Sequence, residues 1–289
     1  MSKKNILLIV LLIVFILMVI ISYYFFIKHE VAKEKENKSQ VSQAITSFIA
    51  DNNETLTIMS WNIQTFGVAK WNRTELREKI MEVVPKADII FIQEIRDKSG
   101  EAFRELCNQL NESFKCNISS RAGRSSSKEQ YGIIYKKEIN MTSLIDYNHD
   151  SMDRWERPPV EVGFLIGNYE FRATNIHTKP ENATVELKEL EMLYYLSSWQ
   201  GNRIWLGDFN ADCGYYDEKN KTIFLNETWV IKDYDETTAT YSNCAYDRII
   251  INNDMQQEYL RYGIYKNITT NVSDHYPVWV EIKPQEMLS

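Results

Sequence analysis

The stretch "ADIIFIQEI", residues 87–95, constrains the fold more than any other part of the chain. Its unbroken apolar run, Ile89 to Ile92, sends hydrophobic side chains to both faces of a strand, and both faces must then be covered. Neighbouring segments supply the cover. "LTIMSWNIQTF" (56–66) reads as a strand, and "RTELREKIMEVV" (73–84) spaces Leu76, Ile80 and Val83 as one helix face, with a cap expected at Asn72 or Thr74. Further along, "EAFRELCNQL" (101–110) reads as a helix and "YGIIYKK" (131–137) as a strand. "EVGFLIGNYEFRATNIHT" (161–178) is two strands around a Gly167-Asn168 turn. "ATVELKELEMLYYLSSW" (183–199) is a helix with Leu187, Leu190, Leu193 and Tyr194 on its apolar side. "NRIWLGDFN" (202–210), "YDRIIIN" (246–252) and "HYPVWVEIK" (275–283) are further strands. Strands outnumber helices and several are apolar on both faces, which predicts one α/β domain of packed sheets covered by helices.

These strands share an oddity at their ends. The first carries Asn62; the second closes on Gln93, Glu94 and Arg96; "ATNIHT" closes on Asn175 and His177. "IWLGDFN" closes on Asp208 and Asn210, "YDRIII" starts at Asp247, and the last strand starts at Asp274-His275. A single aspartate after a strand is ordinarily a turn residue, and a single histidine ordinarily a hydrogen-bonded structural group. Together they read differently. Several carboxylates with oxygen-bearing partners make a site for a hard divalent cation, and two histidines beside carboxylates make acid–base groups poised near neutral pH. No Cys or His pair shows the spacing of a zinc site.

The rest of the chain places this domain. Ile6 to Ile27 contains no charge and one serine, and its 22 residues reach about 33 Å as a helix, enough for a hydrocarbon core of roughly 30 Å. Residues 1–28 are therefore expected to be an uncleaved transmembrane anchor in the lipid bilayer, 29–54 a charged tether, and 55–285 the folded domain. Eleven of the 23 asparagines lie in Asn-x-Ser/Thr triplets, where chance would give about three, so glycosylation of an extracytoplasmic body is expected. The net charge of −7 argues against a broadly basic nucleic-acid coat, while leaving room for a local groove or a metal-assisted anion site.

"WNIQTFG", "IIFIQEIRD", "GRSSSKEQYGIIY", "RWERPPV", "NIHTKP", "GDFNADCGYY", "TTATYSNCAYDRII" and "SDHYPVWVEI" occur in the order and approximate spacing of the deoxyribonuclease I branch of the endonuclease/exonuclease/phosphatase superfamily. The resemblance spans roughly residues 56–284 and implies a four-layer sandwich, two packed β-sheets flanked by helices, behind the N-terminal membrane helix. It implies a monomeric, metal-dependent endonuclease acting on DNA, with Mg²⁺ or Mn²⁺ held near Asn62, Glu94, Asp208 and Asp274, and with Asn210 at the scissile phosphate. His275 with Asp247, and His177 with Glu129, would share general base and general acid duty; Arg96, Arg124 and Arg157 would contact the DNA backbone. Asp212 is expected to cap the turn after Asn210.

The same resemblance implies a Cys213–Cys244 disulfide and leaves Cys107 and Cys116 with their pairing open. It also implies a structural Ca²⁺ loop at Glu236, Thr238, Thr240 and Ser242, for which a threonine-rich strand is the plainer alternative. Two departures stand out: Ser127 replaces an aromatic that packs against a minor-groove sugar, and the small cysteine-bridged loop of the animal enzymes is absent. The same fold hosts hydrolases of RNA and of phospholipid headgroups, and a non-catalytic surface binding module is a further alternative.

Overall fold

The computed structural model describes residues 18, 22–23, 26–30, 33, 55–124, 127–216 and 222–284. The chain divides into two compact units, Met1–Asp51 and Asn52–Ser289. The expected anchor and tether lie almost wholly outside the described residues; among those described, no helix is long and apolar enough to cross a membrane.

Two six-stranded sheets form the second unit. In chain order the strands are β1 (Leu56–Phe66), β2 (Ile89–Ile95), β3 (Phe114–Ile118), β4 (Gln130–Lys136), β5 (Asn140–Asp146) and β6 (Val160–Ile166). They continue with β7 (Tyr169–His177), β8 (Asn202–Asp208), β9 (Thr228–Trp229), β10 (Asp247–Ile251), β11 (Tyr259–Ile264) and β12 (Val278–Ile282). The orders are β11-β12-β1-β2-β4-β3 and β5-β6-β7-β8-β10-β9. Each sheet has one parallel pair near its middle, β1 with β2 and β7 with β8, and its other pairings are antiparallel. The helix Thr74–Val83 joins the first parallel pair and Ala183–Leu196 the second, as crossover connections require. The first of these starts at Arg73 with no side-chain cap, so neither Asn72 nor Thr74 caps it.

Period-two alternation sorts each central strand between two cores. Leu56 and Ile58 of β1, Ile89 and Phe91 of β2, Phe171 and Ala173 of β7, Ile204 and Leu206 of β8, and Ile249 and Ile251 of β10 fill the space between the sheets. The alternate residues Met59, Trp61, Ile90 and Ile92 face the helices Thr74–Val83 and Glu101–Gln109. Trp205 and Ile250 face Leu187 and Leu190 of the helix Ala183–Leu196 on the other side. The result is helix, sheet, sheet, helix.

Gly207 lets the second parallel pair close up. Its φ is +144°, and a Cβ there would lie 1.9 Å from the Ile176 carbonyl oxygen. No side chain fits between β7 and β8 at the level of His177 and Asp208, which are register partners.

Both cysteine pairs are bridged: Cys213–Cys244, as expected, and Cys107–Cys116, which closes the open question. Asp212 is fixed beside the former, its carboxylate accepting from the Cys213 and Ala245 backbone N–H groups, so it ties the turn as expected. Replacing Cys213 and Cys244 together by serine releases a 31-residue interval and is expected to cost about 3 to 4 kcal/mol in the chain-entropy account. Thermal melting should fall by roughly 10 °C; a fall under 2 °C would contradict that bracing role.

Candidate active site

The inner face of each central strand changes character toward one end. On β1 the series Leu56, Ile58, Ser60, Asn62 runs from apolar to polar; on β2 it is Ile89, Phe91, Gln93; on β7, Phe171, Ala173, Asn175, His177; on β8, Ile204, Leu206, Asp208. All of these polar residues are buried. Burying them is costly unless each finds a partner, and they find one another across the gap between sheets. Gln93 donates to Ser60 Oγ and Asn175 Oδ1, and Asn62 Nδ2 donates to Asp208 Oδ2 at 3.0 Å. The polar floor therefore joins the two sheets at the carboxyl ends of both parallel pairs, the usual place for a site in such sheets.

Glu94 reaches this floor by breaking the alternation. By parity it would follow Ile90 and Ile92 to the outer face, but β1 and β2 both shift register here and Glu94 takes φ +60°. Its carboxylate lies 3.4 Å from Asn62 Nδ2 and accepts from Thr65 N at 2.8 Å, while Arg96 Nη2 sits 3.0 Å away. Burial raises the Glu94 carboxyl, yet the His177 and Arg96 charges and the Thr65 N–H outweigh it and hold it below the usual range.

Two histidines face Asp208 from opposite sides. His177 Nδ1 is 2.6 Å from Glu129 Oε1, and its Nε2 is 3.4 Å from Asp208 Oδ2. His275 Nδ1 is 2.8 Å from Asp247 Oδ2, and its Nε2 is 3.5 Å from the same Asp208 oxygen. Strand pairing sets this arrangement, since Asp208 is the register partner of His177 on β7 and of Asp247 on β10. Each outer carboxylate holds Nδ1 and so directs Nε2 inward. Ser273 braces the second pair, donating to the Asn62 carbonyl at 2.6 Å and accepting from His275 N at 3.0 Å.

The electrostatics follow from these contacts. Burial raises the Asp208 carboxyl, but the His275 and His177 charges with the Asn62 and Asn210 donors bring it below the ordinary aspartate range. Burial lowers the His275 imidazole, but Asp247 and Asp208 push it up to about 10, and Asp247 is itself raised by burial. The geometry places the shared proton on His275, between two carboxylates. A folded-state value above the unfolded one, about 6.5, means that the protonated ring stabilises the fold fully below about pH 6.5 and loses that effect up to about pH 10.

The donors fit a hard divalent cation. Carboxylate oxygens of Glu94 and Asp208 meet at the Asn62 amide, and Asp274 Oδ1, 3.8 Å from His275 Nε2, is buried with no hydrogen-bond partner among the described residues. Asn62, expected near the metal, is held by hydrogen bonds on both sides of its amide. Its Oδ1 accepts from Gln64 N, and its amide nitrogen faces the carboxylates, so it orients them. In EDTA the His275 ring is expected to titrate near 10 by NMR, and added Mg²⁺ to move that titration toward neutrality. A midpoint near 6.5 without metal would contradict the charge arrangement.

Other expected site residues are distributed as follows. Asn210, in the left-handed region at φ +47°, donates Nδ2 to the Thr178 carbonyl at 3.1 Å and its backbone N–H to Asp208 Oδ1. Arg96 lines the site beside Glu94. Arg124, 43% exposed, pairs with Asp153 at 3.0 Å. Arg157 is only 13% exposed: Nε and Nη2 donate to the carbonyls of His177 and Thr178, and Nε lies 3.1 Å from Glu129. It lies under His177, where those three buried oxygens need a donor. In the expected calcium loop, Thr238 and Thr240 both hydrogen-bond Ser242 Oγ, at 2.9 and 2.8 Å, while Glu236 pairs with Lys266 at 3.2 Å. The loop also has strand character, Thr238 bridging to His275.

Two neighbours were not legible in sequence. Lys70 Nζ donates to the carbonyls of Ile63, Gln64 and Val272, joining the β1 bulge to the loop that carries Asp274, and burial pushes it down to about 8. The Tyr246 ring lies 6.5 Å from that of His275 and 5.7 Å from Tyr215.

Comparison with known proteins agrees with this geometry. Residues 59–275 match the Endonuclease/Exonuclease/phosphatase family. Deoxyribonuclease-1 of Bos taurus is 32% identical over 261 residues, covering 78% of this chain and 92% of its own. Deoxyribonuclease gamma of Homo sapiens is 31% identical over 255 residues, covering 76% and 84%. Among solved structures, an endonuclease/exonuclease/phosphatase from Bacteroides vulgatus superposes with a TM-score of 0.60 at 15% identity, covering 80% of this chain and 99% of its own, which speaks to the fold alone.

Proposed function

The chain belongs to the endonuclease/exonuclease/phosphatase family, in its deoxyribonuclease I-like branch, and we propose that it is a divalent-metal-dependent endonuclease that hydrolyses DNA with little sequence preference. The observation that carries this reading is the convergence of two imidazole–carboxylate pairs on one oxygen of Asp208, within a ring of hard oxygen donors.

The chemistry follows from which atoms are free to act. With Nδ1 held by Glu129 or Asp247, each histidine works through Nε2. One Nε2 takes a proton from the water that attacks phosphorus; the other gives a proton to the departing 3′ oxygen, leaving 5′-phosphate and 3′-hydroxyl ends. Glu94, Asp208 and Asp274 would hold Mg²⁺ or Mn²⁺, which would neutralise charge on the non-bridging oxygens. Asn62 keeps the first two carboxylates in register. Asn210 and Arg96 face the phosphate, and Arg124 lies further out on the strand's path.

The reading extends to location. Two disulfides favour an oxidising compartment. Of the sequon asparagines among the described residues, Asn72, Asn111, Asn140, Asn182, Asn226, Asn267 and Asn271 are exposed and Asn117 is half-buried, which suits glycosylation. With the apolar Ile6–Ile27 run as anchor, the catalytic unit would act outside the cytoplasm while tethered to the membrane.

Relaxation of supercoiled plasmid by the full-length chain, with Mg²⁺ and with EDTA, tests the central claim. Metal-dependent nicking is expected. A folded, disulfide-bonded protein that fails to nick DNA but cleaves RNA or phospholipid headgroups would replace it with the corresponding phosphodiesterase.

A further inference from the structure

A second cleft opens at the β3 edge of the first sheet. It is about 420 Å³ in volume and lies between the N-terminal part of the helix Glu101–Gln109 and the edge strand β3. Lys98, Arg104 and Arg121 line it, with Asn117 and Gln130, over a floor that includes Ile118 and the Cys107–Cys116 bridge. No carboxylate is among its lining residues, in a chain with 40 acidic and 33 basic side chains. Asp97, next to Lys98, is occupied elsewhere: it accepts from Ser99 and from Ala102 N, capping the helix. Lys98 and Arg104 are exposed, while Arg121 is anchored through the carbonyls of Arg96 and Lys128.

Two contacts through Arg96 link the cleft's lining to the catalytic site. Arg121 Nη1 donates to the Arg96 carbonyl at 3.1 Å, and the Arg96 guanidinium lies 3.0 Å from Glu94. Its walls are also fixed relative to each other, because the Cys107–Cys116 bridge ties the helix to β3. A rigid cleft with three cations at its lining and an apolar floor matches a sugar–phosphate unit, whose sugar packs on the floor while its phosphate meets the cations.

We propose that the Lys98–Arg104–Arg121 cleft is a second binding site for backbone phosphate, holding the substrate DNA strand beyond Arg96 on the β3 side of the scissile bond. The proposal rests on the nuclease reading above. It makes affinity for DNA depend on contacts well away from the reacting phosphate, in a protein whose overall charge repels the strand.

The test is the salt dependence of kcat/KM for duplex DNA in the full-length chain. Lys98→Gln with Arg104→Gln removes two exposed cations from the cleft; Lys79→Gln with Lys86→Gln removes the same charge outside it. Each lost phosphate contact makes the slope of log kcat/KM against log salt shallower by about 0.9, so the cleft pair is expected to change the slope by about 1 to 2 and the other pair by less than about 0.3. Equal slopes in the cleft pair and wild type would overturn the proposal, as would equal changes in both pairs, which would mark an effect of net charge alone. Absence of DNA cleavage by the wild-type protein would instead remove the nuclease reading itself.

Discussion

Asp208→Asn is expected to cut DNA at least about 10³-fold more slowly than wild type, a loss of about 4 kcal/mol of transition-state stabilisation, in a protein that remains folded. The size follows from how much one carboxylate does. Asp208 accepts from Asn62 and Asn210, faces Nε2 of both histidines, and supplies half of the carboxylate pair offered to a cation. An amide of the same shape keeps the volume and the Asn210 contact but withdraws the charge that sets the other groups. Melting should therefore stay within a few degrees while kcat collapses. Metal affinity, followed by titration calorimetry, should weaken as well. A variant with near-wild-type kcat and unchanged Mg²⁺ binding would show that the convergence on Asp208 is structural, and the proposed chemistry would have to move elsewhere.

The parts of this fold that sequence made legible are those under the strongest physical constraint. β1, β2, β4, β6, β7, β8, β10 and β12 all carry apolar runs because they are buried, and all were readable. The strands that were not are β3, β5, β9 and β11, the four edges of the two sheets. An edge strand has one neighbour and a partly wet face, so β5, "NMTSLID", buries no residue fully and leaves no periodic signal. The site was legible for the same kind of reason. Polar residues at strand ends are anomalous wherever the rest of the strand is core, and His177, Asp208 and Asp247 simply continue the inward-facing series of their strands. Glu94 breaks the series, and only its bulge and positive φ bring it in, which no alternation rule foretells. Arg157 shows the opposite limit. A basic residue in a matching motif reads as a phosphate contact, and no pattern in the sequence reveals that it also satisfies carbonyls beneath His177.

The two histidines are expected to be strongly non-additive. His275→Ala and His177→Ala should each lower kcat by about 10²- to 10⁴-fold, since each removes a group that moves a proton at the reacting phosphate. The double variant should be slower than the worse single by less than about tenfold, because one turnover needs both proton transfers and losing either already forces the slow route. The shared Asp208 oxygen sharpens this expectation. Removing one imidazole withdraws one of the groups that keep the Asp208 carboxyl low, so the surviving histidine works in an altered field. Rates for wild type, both singles and the double, measured at one Mg²⁺ concentration, complete the cycle. Losses that multiplied would instead mean two independent devices, and would separate the His177–Glu129 pair from the chemistry performed by His275 and Asp247.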